Sequence, residues 1–210
     1  MLGLYLTLTA GADLAAETEV RRSRFLAIVR RVEDEEQARA LVDEMRRRHR
    51  DARHHCTAFV VGPVPSVERS NDDGEPGGTA GAPMLEVLRG HQLSDVAAVV
   101  VRWFGGIKLG TGGLARAYAG AVQEALADAQ FVRRRELGRF ELSLAHADAG
   151  RVEAELRAHG VQVLGVDYAS LATLQMVAAD RAALVAQIAA LTGGAAEPVQ
   201  VGTTWIDDIL

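Results

Sequence analysis

The 210-residue chain has a single cysteine, Cys56, which excludes an internal disulfide and suits a reducing compartment. Long apolar runs are missing too. The longest, Val96 to Val101, is cut by Arg102, well short of the roughly 18 residues that a membrane helix needs. The opening stretch MLGLYLTLTAGA lacks the basic n-region of a signal peptide. Its Leu2, Leu4, Leu6 and Leu8 alternate with Gly3, Tyr5, Thr7 and Thr9, the period of a strand. A cytoplasmic protein with no membrane partner is expected. An excess of basic charge is also lacking: residues 1–131 carry 16 Lys+Arg against 18 Asp+Glu, and residues 132–210 carry 7 against 10. Any contact with nucleic acid must therefore rest on a local patch, because neither half offers a positive domain for counterion release.

Signatures of common catalytic centres are scarce. With one cysteine and no H-E-x-x-H or C-x-x-C, a zinc centre is not expected. Cys56 starts a predicted buried strand, Ser70 lacks a G-x-S-x-G context, and no nucleophilic triad can be assembled from spacing. Whether the protein is an enzyme stays open at this level.

What is present is ample core material, 49% apolar with 24% charged residues, in a chain longer than the usual single domain. An α+β protein of two domains is expected, 1–131 and 132–210, with a linker at Phe131–Arg135. In the first, Glu17–Val32 reads as one or two strands with Phe25, Ala27 and Val29 on one face. Residues 33–50 read as an amphipathic helix, acidic at its start and basic at its end. That basic end either complements the macrodipole or faces a ligand. Cys56–Val61 is a strand, and residues 62–83 form a long connection holding Pro63, Pro65, Pro76 and Pro83. A helix follows from Pro83, a buried strand spans Val96–Phe104, and a helix runs from Gly113. The second domain alternates as strands 137–145, 161–168, 171–178 and 198–206 with helices 147–159 and 180–192, the βαββαβ order of a ferredoxin-like unit.

Two glycine-rich stretches about thirty residues apart, NDDGEPGGTAGAP (71–83) and WFGGIKLGTGGLARAY (103–118), stand out. The second joins a buried strand to a helix start, where free backbone N–H groups and a partial positive charge suit an anion. Gly105, Gly106, Gly110, Thr111, Gly112 and Gly113 would form this loop, with Lys108, Arg102 and Arg116 as donors at its rim. The spacing is neither a P-loop nor the G-x-G-x-x-G fingerprint of dinucleotide sites. The competing reading is a tight turn whose glycines only let helix and strand pack closely. In the first stretch Asp72, Asp73 and Glu75 would hold Mg²⁺, or form an Asx-turn, or pair with Arg102 or Arg116. Arg53 and His54 precede a strand close to Cys56. Trp103, Phe104 and Tyr118 either stack on bases or belong to the core.

RSRF (22–25), DARHHC (51–56), NDDGEPGGTAGAPML (71–85) and VVVRWFGGIKLGTGGLARAY (99–118) strongly resemble the bacterial branch of the IMPACT/YigZ family. The resemblance implies a first domain like the second domain of small-subunit ribosomal protein five, an α/β sandwich. It implies a second domain similar to the last domain of elongation factor G, in agreement with the βαββαβ pattern. Eukaryotic members resemble regulators of translation initiation that use an additional N-terminal domain. The expectation is a translation-linked binding protein. RNA, a ribosome or a nucleotide phosphate would bind at the glycine loop with Arg53 and His54 nearby, and a protein partner through the second domain. The alternatives are a Mg²⁺-assisted enzyme acting on a phosphorylated small molecule and a pure protein-interaction module.

Overall fold

Alternation along three strands decides the architecture of the first half, seen in a computed structural model that describes residues 3–11, 13–63 and 66–209. Leu2 of the opening alternation and Pro65 of the long connection lie outside the described residues. The elements are β1 (Leu4–Leu8), β2 (Leu14–Val20), β3 (Ser23–Arg31), α1 (Glu35–Arg48), β4 (His54–Val61), β5 (Val67–Asn71), α2 (Gly81–Gly90), β6 (Val96–Trp103) and α3 (Thr111–Leu126). Strands β2-β3-β6-β4-β5 form one sheet, antiparallel at every pairing, with β6 in the middle.

Successive side chains of β6 point to opposite faces. Val96, Ala98 and Val100 join Phe25, Ala27, Val29, Cys56, Ala58 and Val60 in a core with residues of α2 and α3. Ala97, Val99 and Val101 join Ile28, Phe59, Leu41 and Met45 in a second core against α1. Continuous apolar runs are usually read as parallel strands. Here the neighbours are antiparallel, and helices covering both faces explain the run.

Asp34 caps α1, its Oδ1 accepting from the Gln37 N–H at 2.8 Å, and Glu35 and Glu36 open the helix while Arg46, Arg47 and Arg48 close it. Part of that basic end is paired: Arg46 with Asp73 at 2.8 Å and Arg48 with Glu44 at 2.6 Å.

Several boundaries differ from the sequence expectation, His54 among them, which lies inside β4 and not before it. The connection over 62–83 contains β5, which pairs with β4 from Thr57↔Asn71 to Val61↔Val67. Its sequence VERSN is mostly exposed and carries no apolar alternation, so only the partner strand makes it a strand. Helix α2 starts at Gly81, leaving Pro83 in the first turn, where a missing N–H costs no intrahelical bond. The stretch Phe131–Arg135, expected as a linker, lies in strand β7 (Phe131–Leu144).

The chain divides inside β7 into units built essentially on Leu4–Arg133 and Arg134–Asp207. The second unit continues with α4 (His146–Ala158), β8 (Gln162–Tyr168), β9 (Ala172–Ala178), α5 (Arg181–Thr192) and β10 (Val199–Ile209). Its own four strands lie in the order β10-β7-β9-β8, that is fourth, first, third, second, the ferredoxin-like arrangement of a βαββαβ unit, in a five-stranded sheet that also includes β1. Phe140, Leu142, Leu174 and Met176 meet Val152, Leu156, Leu184 and Ile188 in its core. The protein is thus α+β with two units. Among the described residues no helix is long and apolar enough to cross a membrane.

Candidate functional site

The register of the first sheet sets Phe25, Arg102 and His54 side by side across β3, β6 and β4. Cross-strand partners share a face. Arg102 therefore lies on the α2/α3 side, where its side chain is only 6% exposed. Its Nη1 donates to Glu75 Oε1 at 2.5 Å, the Tyr118 hydroxyl donates to the same oxygen at 2.8 Å, and its Nη2 donates to Ser23 Oγ at 3.1 Å. His54 Nε2 stands 3.9 Å from Glu75, whose side chain is 4% exposed. The Phe25 and Phe104 rings lie 5.4 and 5.6 Å from the guanidinium. Arg102 is therefore a floor residue and not the rim donor expected from its position before the loop. Its Nε–H is buried with no acceptor among the described residues.

Backbone geometry brings the glycine loop over this floor. Arg21 and Arg22, both at positive φ (48° and 66°), form the tight turn of the β2–β3 hairpin. That turn presses against Gly105 so closely that a Cβ there would stand 2.0 Å from the Arg22 carbonyl carbon and oxygen. Ser23 Oγ also accepts from the Gly105 N–H at 3.3 Å. Gly110, at φ 72°, then turns the chain into α3, whose amino end has no side-chain cap.

The acidic loop meets the glycine loop here. A cavity of about 350 Å³ has Glu75 and Arg102 in its floor, Pro76, Phe104, Leu109 and Leu114 along its wall, and Lys108, Gly110 and Thr111 at its edge. Lys108 is exposed and is the only lysine of the chain. Arg116 lies beside the first turn of α3, since a Cβ on Gly112 would sit 3.5 Å from its Nη1. Gly106 is exposed at φ 85°, Gly112 is exposed and Gly113 packs near Leu109. Arg53 is exposed and does not line the cavity, and His54 approaches Glu75 from β4. Trp103 belongs to the opposite sheet face, with Arg24 4.0 Å over its ring and its Nε1 donating to Asp51 at 2.7 Å.

Each remaining carboxylate serves its own protein donors. Asp72 accepts from the N–H groups of Gly78, Ala80 and Gly81 at 2.7, 2.9 and 2.8 Å, tying the loop to the start of α2. Burial alone would raise its pKa, but these N–H donors more than offset that and hold it below the usual carboxylate value. Asp73 accepts from Arg46 at 2.8 Å and from the His55 N–H at 2.7 Å. Among the described residues no three His, Cys, Asp or Glu are grouped to hold a metal ion. Asp72, Asp73 and Glu75 so arranged do not fit a Mg²⁺ site.

Cys56 donates to the Asp72 carbonyl at 3.1 Å, and burial pushes its thiol up to about 12. Burial likewise raises the Tyr118 hydroxyl, so neither it nor the Cys56 thiol is ionised near neutral pH, and burial lowers His55. Sequence reasoning misses Ser23 and the Arg21–Arg22 turn, and it offers Tyr118 only as a stacking or core residue. A hairpin turn of two arginines has none of the Asn-Gly chemistry that would announce it.

The Impact N-terminal domain family matches residues 21–126, and a domain of unknown function, DUF1949, matches residues 142–195. The chain is 41% identical over 157 residues to the IMPACT family member YvyE of Bacillus subtilis, covering 75% of this chain and 71% of that one. It is 37% identical over 171 residues to the IMPACT family member YigZ of Escherichia coli, covering 80% and 84%. This chain belongs to the IMPACT family. A crystal structure described as that of a hypothetical protein aligns over 96% of this chain and 98% of its own, at 35% identity and TM-score 0.67. In this IMPACT family chain every element of the cavity, from Ser23 to Tyr118, falls inside the matched region 21–126.

Proposed function

We propose that this IMPACT family chain is a cytoplasmic, translation-linked binding protein whose first unit holds a phosphate group of RNA or of a nucleotide at the amino end of α3. One observation carries the reading: an uncapped helix start sits at the edge of a cavity beside the chain's only lysine. Free N–H groups and the helix dipole favour an anion there. The floor does not oppose one, because the Glu75 carboxylate is paired with Arg102 and bonded by Tyr118. Exposed Arg21, Arg22, Lys108 and Arg116 supply the local basic patch that the overall charge of −5 does not. The link to translation is supported by family membership, through the resemblance of eukaryotic members to regulators of initiation. The second unit, with more acidic than basic residues, is better suited to a protein partner than to RNA.

A Mg²⁺-assisted enzyme acting on a phosphorylated small molecule is the weaker reading, since the three carboxylates are taken up by protein donors. Co-sedimentation with ribosomes and with free RNA at low and moderate salt tests the proposal. Wild type is expected to bind with salt sensitivity, and Lys108→Ala/Arg116→Ala to lose that binding. Normal binding by the double variant would refute the site, and no binding by wild type at low salt would refute the RNA and ribosome role.

A further inference from the structure

A phosphate at the α3 start leaves the interior of the cavity without a role. Building on that phosphate reading, we infer that the cavity takes the base of one unpaired nucleotide, whose phosphate lies on the amino end of α3, and that it accepts any of the bases.

The volume and the wall point to a flat apolar ligand. A phosphate needs neither about 350 Å³ nor a lining of Pro76, Phe104, Leu109 and Leu114. Phe104, just beyond the end of β6, is a large aromatic residue left 46% exposed, although Val99, Val100 and Val101 of that strand are buried. A flat ring would cover it, and a nucleobase is the flat ring that arrives attached to a phosphate. Stacking of bases on aromatic side chains tolerates any sequence, because every base has a π face.

The floor points to a ligand that brings a hydrogen-bond acceptor. Arg102 keeps a buried Nε–H with no acceptor among the described residues. One N–H on each Nη is engaged, by Glu75 and by Ser23, and Glu75 Oε1 already accepts twice. The floor therefore keeps at least one N–H, that of Arg102 Nε, without an acceptor. Every nucleobase carries ring-nitrogen or carbonyl acceptors on its edges, so such a floor favours a base without choosing among them.

Strandedness is then decided by access. A base inside a duplex is stacked and paired, and reaching this cavity would require flipping it out at the expense of that stacking. Single strands and mononucleotides are the forms that fit.

The test is fluorescence polarisation at low salt with 3′-labelled single-stranded oligonucleotides of U, A and C and a blunt duplex of equal length. AMP, UMP and inorganic phosphate serve as competitors. Phe104→Ala and Phe104→Trp are compared after circular dichroism establishes that both fold. The single strands are expected to bind within about threefold of one another, and the duplex about tenfold more weakly. Phe104→Ala should lose about tenfold and Phe104→Trp should retain affinity. Both mononucleotides should displace the strand at concentrations where inorganic phosphate does not. Equal binding of duplex and single strand with Phe104→Ala unchanged would overturn the inference while leaving the phosphate site standing. A marked preference for one base would overturn the claim that the cavity accepts any. Mononucleotide binding without strand binding would support the cavity and refute the RNA role. No binding or displacement by any probe would overturn both readings.

Discussion

Arg102 and Glu75 are the residues on which the site depends, because both charges are out of water and each satisfies the other. Removing one partner of such a pair leaves an uncompensated buried charge, typically a loss of about 3–5 kcal/mol. Glu75→Ala should therefore lower stability by about that amount in urea unfolding, whereas Glu75→Leu/Arg102→Met should lose clearly less. Equal losses would mean that the pair's geometry, and not its charge balance, holds the loop. Cys56 permits a pH prediction. Its thiol ionises in the fold only at about 12 against an ordinary value of 9.0, so the folded state keeps a proton that the unfolded chain releases. The stabilisation is whole below the ordinary value and is lost as pH rises through that window. At pH 8 iodoacetamide should label Cys56 only after denaturant is added, as read by mass spectrometry. Rapid labelling of the native protein would show the thiol to be accessible and ionised.

Elements explain what could be read in advance. Strands β3, β4 and β6 and helix α1 were legible because their apolar spacing reports directly on the faces they bury. Strand β5 was not, since VERSN is an exposed edge defined by its partner. The juxtaposition of the two glycine-rich stretches was also hidden. Glu75 and Arg102 are 27 positions apart, and only the register of β3, β6 and β4 brings Phe25, Arg102 and His54 onto one face beneath the loop. Arginine's polarity suggested the rim, while a buried acid that spacing cannot reveal makes the floor possible. Among the glycines two different demands apply. Gly105→Ala collides with the Arg22 backbone and should destabilise strongly. Gly106→Ala meets open space and is penalised only for its positive φ, about 1 kcal/mol. Parallel thermal melts separate the two, and equal shifts would contradict the close approach of hairpin and loop. At α1, Asp34→Ala removes a cap and should cost about 1 kcal/mol by urea unfolding; no change would mean the cap bond does not form in solution.

At the scale of the whole molecule, a net charge of −5 and the slightly acidic balance of each half argue against a protein that embraces nucleic acid along a broad surface. Few phosphates should be neutralised, and the salt dependence of binding should be that of a few phosphate contacts. The βαββαβ unit is legible from its element order alone, because short alternating strands and glycine-terminated helices such as that ending at Gly193, φ 62°, leave few other arrangements. Its role was less legible, since function resides in a site and not in a fold.

The chain's only lysine allows the phosphate site to be tested at one atom. Acylation of Lys108 Nζ by an amine-reactive reagent, followed by peptide mass spectrometry that reads the α-amino group separately, can be compared with and without saturating single-stranded RNA at low salt. RNA is predicted to slow acylation of Lys108 several-fold, and added salt to remove the protection. An unchanged rate under conditions where RNA is bound would contradict a phosphate site at the amino end of α3.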